Sequence, residues 1–416
     1  MFANVTEETR MGSSATLRLT SVVGLVAMLG IAWALSEDRR RIQWRTIAWG
    51  LGLQFALAIV ILRTGLGRTF FESVNACFDV LTDATKEGAK FVFGNLPENF
   101  EIGAIVAFQV LPVIIFVSSL AAVLQHLRII QAVVNGMAYV MRRTMRTSGA
   151  ETFAAALQVF LGIESLPASR DYLGDMTRSE LFVIMVTFMG TIATSVMVAY
   201  ASFGAQPGHL LAASLMCAPS ALMISKLMVP ETGHPRTDGT TRIVVPVESH
   251  NIVDAAARGA TDGLNLALNV GAMLIAFIGM FYLVDLAVKG VTGYTFANIM
   301  GWFFYPFAFL MGVPWHDVGA VAQLLGKKTV LNEFLAYADF KPLVASGALS
   351  PRSVTIATYA LCGFANPGSL GILLGAMTAM IPQRRSEVAA LGIKSLIAGT
   401  LTCFVAACIA GILVSE

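Results

Sequence analysis

Three short segments set carboxylates, amides and hydroxyls beside chain-breaking residues in apolar surroundings. The first, within Glu151–Asp171, reads Leu161-Gly162-Ile163-Glu164-Ser165-Leu166-Pro167. The second is Lys327-Lys328-Thr329-Val330-Leu331-Asn332-Glu333-Phe334, and the third is Cys362-Gly363-Phe364-Ala365-Asn366-Pro367-Gly368-Ser369. Carboxylate and amide oxygens accept from hydroxyls, while amide NH2 groups donate. Glu333 with Asn366, Asn332 and Ser369 therefore suits an uncharged, polyhydroxylated solute such as a ribose. No glycine loop is arranged for phosphate and no arginine sits at a broken tip, which disfavours nucleotides and other strongly anionic solutes.

The elements that must position these groups are hydrophobic. The 416 residues are 56% hydrophobic and 13% charged, against about 25% charge in soluble chains, and mean hydropathy is +0.72. A net charge of +2 without a long basic run gives no reason to expect nucleic acid. Cys77, Cys217, Cys362, Cys403 and Cys408 form no C-x-x-C pair and read as small buried hydrophobes; the five histidines lack a zinc spacing. No metal cofactor is expected from these residues.

A helix needs about 20 apolar residues to cross the hydrocarbon core. Eight stretches qualify: Leu19–Ser36, Ile47–Leu62, Ile102–Leu124, Leu181–Phe203, Leu210–Met228, Leu264–Leu286, Val354–Ile381 and Leu391–Val414. The first has a rival reading as a signal peptide, but Glu7, Glu8 and the arginines after it depart from that pattern. It is expected to be a retained span. Arg39–Arg41, then Arg128, Arg142, Arg143 and Arg146, then Lys226, Arg236, Arg242 and Arg258, then Arg384 and Arg385 fall on alternate connections. The bias of basic residues towards the cytoplasm then puts both termini on the non-cytoplasmic side.

Ile129–Met141 places Ile130, Val133, Val134, Met137 and Met141 at helical spacing and reads as an interfacial helix; Phe70–Phe93 reads similarly. Glu231–Glu248 is a polar linker between halves of similar plan. The expected organisation is N-terminal spans and an interfacial segment (1–100), a first repeat (101–230), a linker (231–263) and a second repeat (264–416). The fold class is an all-α integral membrane protein.

Gly162 and Pro167 interrupt their segment as a re-entrant hairpin would, and Pro367 with Gly368 would unwind the stretch from Val354 to Ile381 near its middle. Backbone freed at membrane depth is tolerated where it is buried in protein or lines a wet cavity. A carboxylate there costs roughly 2.5–3.5 kcal/mol on insertion scales and marks a functional candidate. Matching breaks in two halves point to a transporter binding site. Each feature also has a plain structural reading: Glu333 paired with Lys327 or Lys328 at the surface, Glu164 capping a broken helix, Asn366 and Ser369 satisfying backbone freed by Pro367.

At these residues the sequence resembles the concentrative nucleoside transporters, cation-coupled symporters, from about Ile102 to the C-terminus. The resemblance is carried by Gly259-Ala260-Thr261-Asp262-Gly263-Leu264, by Asn269-Val270-Gly271-Ala272-Met273-Leu274-Ile275-Ala276-Phe277, by Leu331-Asn332-Glu333-Phe334-Leu335-Ala336-Tyr337 and by Tyr359-Ala360-Leu361-Cys362-Gly363-Phe364-Ala365-Asn366. It implies a homotrimer whose protomers have eight core helices and two oppositely oriented re-entrant hairpins, with a binding domain that moves like an elevator. It also implies that Glu333, Asn366 and Ser369 contact ribose, with Asn332 beside them at the second hairpin tip. The first hairpin and the unwound helix after it would contact the nucleobase and the cation.

The first hairpin departs from the family's Gly-Gln-Thr-Glu-Ala-Pro. Matched on glycine and proline, it reads Gly162-Ile163-Glu164-Ser165-Leu166-Pro167, and Gln158 takes the place of the family's cation-binding asparagine. Matched on the glutamate, Gly162 and Ile163 take the Gln and Thr places and Leu157 replaces the asparagine. Leu161, Thr191 and Ile192 fall where the other cation contacts are expected. The resemblance thus implies nucleoside import coupled to sodium or protons across a bacterial-type inner membrane, with no catalytic residues. The alternatives are another polyhydroxylated solute and a membrane-embedded enzyme; the second is weakened by the lack of a Ser/His, paired-Asp or metal-ligand set in the spans.

Overall fold

The computed structural model describes residues 2–97, 106–201, 203–237 and 249–414. Their regular elements are all helical: α1 (Phe2–Ala34), α2 (Trp44–Arg63), α3 (Gly65–Phe93), α4 (Leu111–His126), α5 (Ile129–Met145), α6 (Gly149–Leu161), α7 (Arg170–Leu173), α8 (Arg178–Gly190), α9 (Thr194–Ala201), α10 (Pro207–Met228), α11 (Ile252–Thr292), α12 (Phe296–Leu310), α13 (Trp315–Val330), α14 (Glu333–Ala345), α15 (Pro351–Leu361), α16 (Pro367–Met380) and α17 (Arg385–Leu413). A π-helical turn precedes α4 and a 3-10 stretch, Gly162–Ser169, follows α6.

Among the described residues, five of the eight expected spans are single helices long and apolar enough to cross a membrane: those in α1, α2, α10, α11 and α17. The stretch Ile102–Leu124 begins outside the described residues and continues into α4. The other two are broken. Leu181–Phe203 divides into α8 and α9 at Thr191–Ala193, and Val354–Ile381 divides into α15 and α16 at Cys362–Asn366. Hydropathy shows the first break poorly because Thr191, Ile192 and Ala193 leave the apolar run almost unchanged. Most of the linker Glu231–Glu248 lies outside the described residues; Glu231–Thr237 is irregular.

The expected interfacial segments fall in α3 and α5. α5 turns 74° from α4, after Arg128 at φ 60°. It buries Ile130, Val134, Met141 and Met145 on one side, whereas Val133 is exposed. α12, an apolar 15-residue helix, was not among the expected spans.

Burial separates two kinds of helix. The membrane-length window of α10 is 89% buried and that of α11 only 12%, so α10 runs through the core while α11 lies at the periphery. α11 packs on α4 through Gly259 and Gly263. A Cβ on Gly259 would lie 2.7 Å from the Ser118 carbonyl oxygen, and one on Gly263 would lie 2.8 Å from the Ile115 Cα. Such close backbone approach is how small residues join helices where no hydrophobic drive exists.

The two broken regions are anchored at their bases by buried polar groups. Ser148 and Glu151 form a capping box at the start of α6, and the buried Lys226 ammonium lies 2.7 Å from Glu151 and 3.1 Å from Glu231. In the second half, Asp317 accepts from the Ser350 amide at 3.0 Å and hydroxyl at 2.8 Å. Buried Arg352 donates to the carbonyls of Gly312, Gly411 and Val414 at 2.7–2.9 Å. These ties hold the helix ends while the breaks between them stay open.

Candidate functional site

In the second half, α13 ends at Val330 and α14 begins at Glu333, with Leu331 and Asn332 non-helical between them. Asn332 is the N-cap of α14: its Oδ1 accepts from the Leu335 amide at 2.9 Å, the role that asparagine favours at that position. Glu333 therefore sits at a helix N-terminus, where the macrodipole favours a carboxylate. It is 6% exposed and is not a surface residue. Lys327 pairs instead with Asp339, which overturns the surface-pair reading for Glu333.

Both carboxylate oxygens of Glu333 already have donors. Tyr200 Oη donates to Oε1 at 2.7 Å, and Asn366 Nδ2 donates to Oε2 at 2.8 Å. Asn366 also caps α16, its Oδ1 accepting from the Ser369 amide at 2.9 Å. The structural and functional readings of Asn366 are thus compatible: one end of its amide holds the helix, the other holds the glutamate. Pro367 occupies the first turn of α16, where the missing N–H costs nothing.

In the first half, α6 terminates at Gly162, whose φ of 59° requires glycine. A Cβ there would lie 2.9 Å from the Ala193 Cβ, so the end of α6 and the α8–α9 break touch. Ser165 Oγ donates back to the Gly162 carbonyl at 2.6 Å. Ile163 is half-buried and Glu164 exposed; Glu164 makes no cap bond.

These pieces meet around a single cavity of about 150 Å³. Of the sequence-predicted residues, Leu161, Gly162, Ile163, Glu164, Asn332, Glu333, Asn366 and Ser369 line it. Gln158, Thr191 and Ile192 lie behind the wall. Gln158 is fully buried, and neither amide atom of its side chain has a hydrogen-bond partner. The Thr191 hydroxyl donates to Thr187 O at 2.8 Å, and the Ile192 carbonyl accepts from Ser214 Oγ at 3.2 Å. The Gln158 amide is thus a buried polar group that its surroundings leave unsatisfied.

The sequence reading missed Tyr200, buried between the halves and stacked on Tyr337 with centroids 4.8 Å apart. It also missed Phe188 and Phe364, stacked at 5.5 Å, and the α11 residues Asn269 and Met273. Asn269 and Phe364 stand in motifs already quoted, which was their available signal; Tyr200 had none. Chemically the cavity offers the Glu333 carboxylate with the Asn332 and Asn366 amides from the second half, the Glu164 carboxylate from the first half, the Asn269 amide from α11, and aromatic and aliphatic walls between them. It fits a solute with hydroxyls at one end and a flat, weakly polar ring at the other.

Comparison with known proteins agrees with this geometry. The model described as "Na+ dependent nucleoside transporter C-terminus" matches residues 209–411, its N-terminal counterpart residues 23–96, and "Nucleoside recognition" residues 107–207. The chain is 40% identical over 406 residues to an uncharacterized transporter, YutK, of Bacillus subtilis, covering 95% of this chain and 99% of that one. It is 40% identical over 419 residues to solute carrier family 28 member 3 of Mus musculus, covering 95% of this chain but only 59% of the mouse protein. Among solved structures it resembles CNTnw in an inward-facing substrate-bound state, with a TM-score of 0.91 and 36% identity over 96% of this chain and 98% of that one. A CNTnw variant in an outward-facing state gives a TM-score of 0.89 at 36% identity, over 95% of this chain and 98% of that one. With its three modules matched and its length spanned, this chain belongs to the concentrative, Na+-dependent nucleoside transporter family.

Proposed function

We propose that this integral membrane protein imports nucleosides by symport with Na+, exposing its cavity alternately to the two sides of the membrane. The observation that carries the reading is the Tyr200–Glu333–Asn366 arrangement, in which a desolvated carboxylate from one half is held by donors from two broken helices. Glu333, Asn366 and Ser369 would take the ribose hydroxyls. The pair Phe188 and Phe364 supplies a wall for the base. Glu164, with Gly162 and Ile163, faces the same cavity from the first half and would set base selectivity. Asn332 contributes mainly by capping α14.

The glycine-and-proline match is favoured for the first half, because Gly162 is the residue whose positive φ ends α6. Gln158 then holds the coupling-ion position, with the Leu161 and Ile192 carbonyls and the Thr191 hydroxyl around it. The two broken helix pairs, Gly149–Leu173 and Trp315–Ala345, are read as the re-entrant hairpins of two repeats. The basic connections support a bacterial inner-membrane orientation with both termini on the non-cytoplasmic side. The exposed apolar face of α11, including Ile275, Tyr282 and Leu283, and that of α12, with Trp302 and Phe303, would meet lipid and the other protomers of a homotrimer.

Glu333→Gln tests the site directly. Uptake should be lost while the protein remains folded in the membrane, and unchanged uptake would remove Glu333 from the binding machinery.

A further inference from the structure

Among the described residues only two that are not glycine have positive φ, Arg128 at 60° and Arg146 at 55°. They stand immediately before and after α5, as its N-cap and C-cap. That conformation is costly for L-residues and free for glycine. The helix dipole favours Arg142 and Arg143 in the last turn of α5, but it opposes a cation at the N-terminal end, where Arg128 stands. Neither backbone nor dipole accounts for the bracketing arginines.

The contacts of α5 place it at the membrane surface. It meets α4 at 74°. At the start of the span α2, Thr46 Oγ1 donates to the Met145 carbonyl at 3.0 Å and Arg45 Nε to the Thr144 carbonyl at 3.3 Å. The end of α5 is thereby level with the start of α2, and Arg45 joins Arg142, Arg143 and Arg146 there. Arg45, Arg143 and Arg146 are exposed and Arg142 is half-buried. None of the four has a carboxylate partner among the described residues, whereas Arg41 pairs with Asp38, Arg178 and Lys394 with Glu37, and Arg384 with Glu387. α5 is also apolar on two sides. Ile130, Val134, Met141 and Met145 are buried against the protein, while Ile129, Val133 and Val140 are 46–49% exposed. Spaced by four and seven, those three share a second stripe, which Arg143 continues. Trp44, next to Arg45, is 64% exposed, and an indole suits the headgroup level.

We propose that Arg45, Arg142, Arg143 and Arg146 form a binding site for an anionic phospholipid, holding its phosphate while its acyl chains lie on the stripe of Ile129, Val133 and Val140. Arg128 meets the same headgroup layer at the other end of the helix. Guanidinium forks match phosphate oxygens two at a time, and a basic pocket between spans at the membrane surface is where anionic headgroups settle. The order of elements gives the site a consequence. α5 leads through Thr147 into Ser148, the N-cap of α6. A lipid held at Arg146 steadies the foot of the segment that carries Gly162 and Glu164 to the cavity. The proposal needs only that the protein is embedded in a membrane.

The test is thermal unfolding of the purified protein in neutral detergent micelles, with phosphatidylglycerol, phosphatidylcholine or inorganic phosphate added. Phosphatidylglycerol should raise the melting temperature of wild type by about 3 °C or more, and the other two should not. Each arginine facing an anionic headgroup contributes about fivefold in affinity. The double variant Arg143→Gln/Arg146→Gly should therefore need about tenfold or more lipid for the half-maximal shift, although glycine relieves the backbone at position 146. Arg385→Gln, at an exposed arginine on α17, should behave as wild type. No shift of wild type by phosphatidylglycerol, or an equal shift by phosphatidylcholine or free phosphate, would overturn the proposal. So would an unchanged midpoint in the double variant, or an equal loss in Arg385→Gln, which would mean diffuse surface charge. Each variant is compared with itself, with and without lipid, and the wild-type arms decide even if the double variant does not fold.

Discussion

The phenolic hydroxyl of Tyr200 donates to Glu333 Oε1 at 2.7 Å across 133 positions of sequence. Tyr200 belongs to the broken helix of the first half, and Glu333 opens α14 in the second. The bond is fully buried, so it couples the two halves where the cavity joins them. Tyr200→Phe removes the donor and leaves the ring stacked on Tyr337. Loss of one partner of a buried charged group costs about 1–3 kcal/mol. We expect KM for nucleoside to rise about tenfold or more, with the protein still folded; an unchanged KM would show that the tyrosine only fills space.

Gly162 has both a backbone and a packing reason to be glycine. Gly162→Ala forces a Cβ against Ala193 and holds an L-residue at positive φ, a cost of roughly 1–2 kcal/mol before any contact is counted. Uptake should fall sharply. Ala193→Gly in the same chain should restore part of it, because it relieves the contact but not the backbone strain. Full activity in Gly162→Ala would mean that the two segments separate without consequence.

Gln158 separates two kinds of role in one substitution. Its amide is buried with neither atom bonded, which costs stability unless an ion or water satisfies it. Gln158→Leu should raise the melting temperature measured without Na+, and should raise the Na+ concentration for half-maximal uptake about tenfold or more. Unchanged Na+ dependence would place the ion elsewhere.

Glu37 gives a pH-dependent stability outside the membrane-spanning segments. Its carboxylate accepts from Arg178 at 3.0 and 3.1 Å and from Lys394 at 2.9 Å. The Arg178 bond is the main cause holding its pKa below the ordinary 4.5. A depressed folded-state value adds stability above the ordinary carboxylate range, and that stability is lost as pH falls through the lowered value. Glu37→Gln should lower stability near neutral pH by at most about 1 kcal/mol, since the group is partly solvent-screened. The difference should vanish under acid, and a difference that grew on acidification would contradict the assignment.

The parts of the fold legible in sequence were those written in hydropathy and in breakers. The five continuous membrane-length helices follow from apolar length, and Asn366-Pro367 announces the start of α16 because proline suits only the first turn. The α8–α9 break was nearly silent, since its residues are apolar or small and the carbonyls of Ile192 and Thr187 accept from the hydroxyls of the distant Ser214 and of Thr191. The carboxylate and amide residues of the site were visible because charge and amide groups in an apolar run are costly. Tyr200 was not, because a tyrosine in a buried helix looks the same whether its hydroxyl meets a backbone carbonyl or a functional carboxylate. Lys328 was visible only as half of a Lys-Lys pair, and burial divided the two: Lys327 faces Asp339, while Lys328 turns inward.

The central claim is gradient-driven nucleoside transport through the cavity between the two breaks. Uptake of radiolabelled uridine and adenosine into proteoliposomes, under separately imposed Na+ and proton gradients, tests it most directly. The account predicts accumulation of at least one nucleoside above empty vesicles when Na+ is high outside, and its loss in Glu333→Gln. Absence of uptake of any nucleoside under every gradient, by protein shown to be folded and inserted, would contradict it.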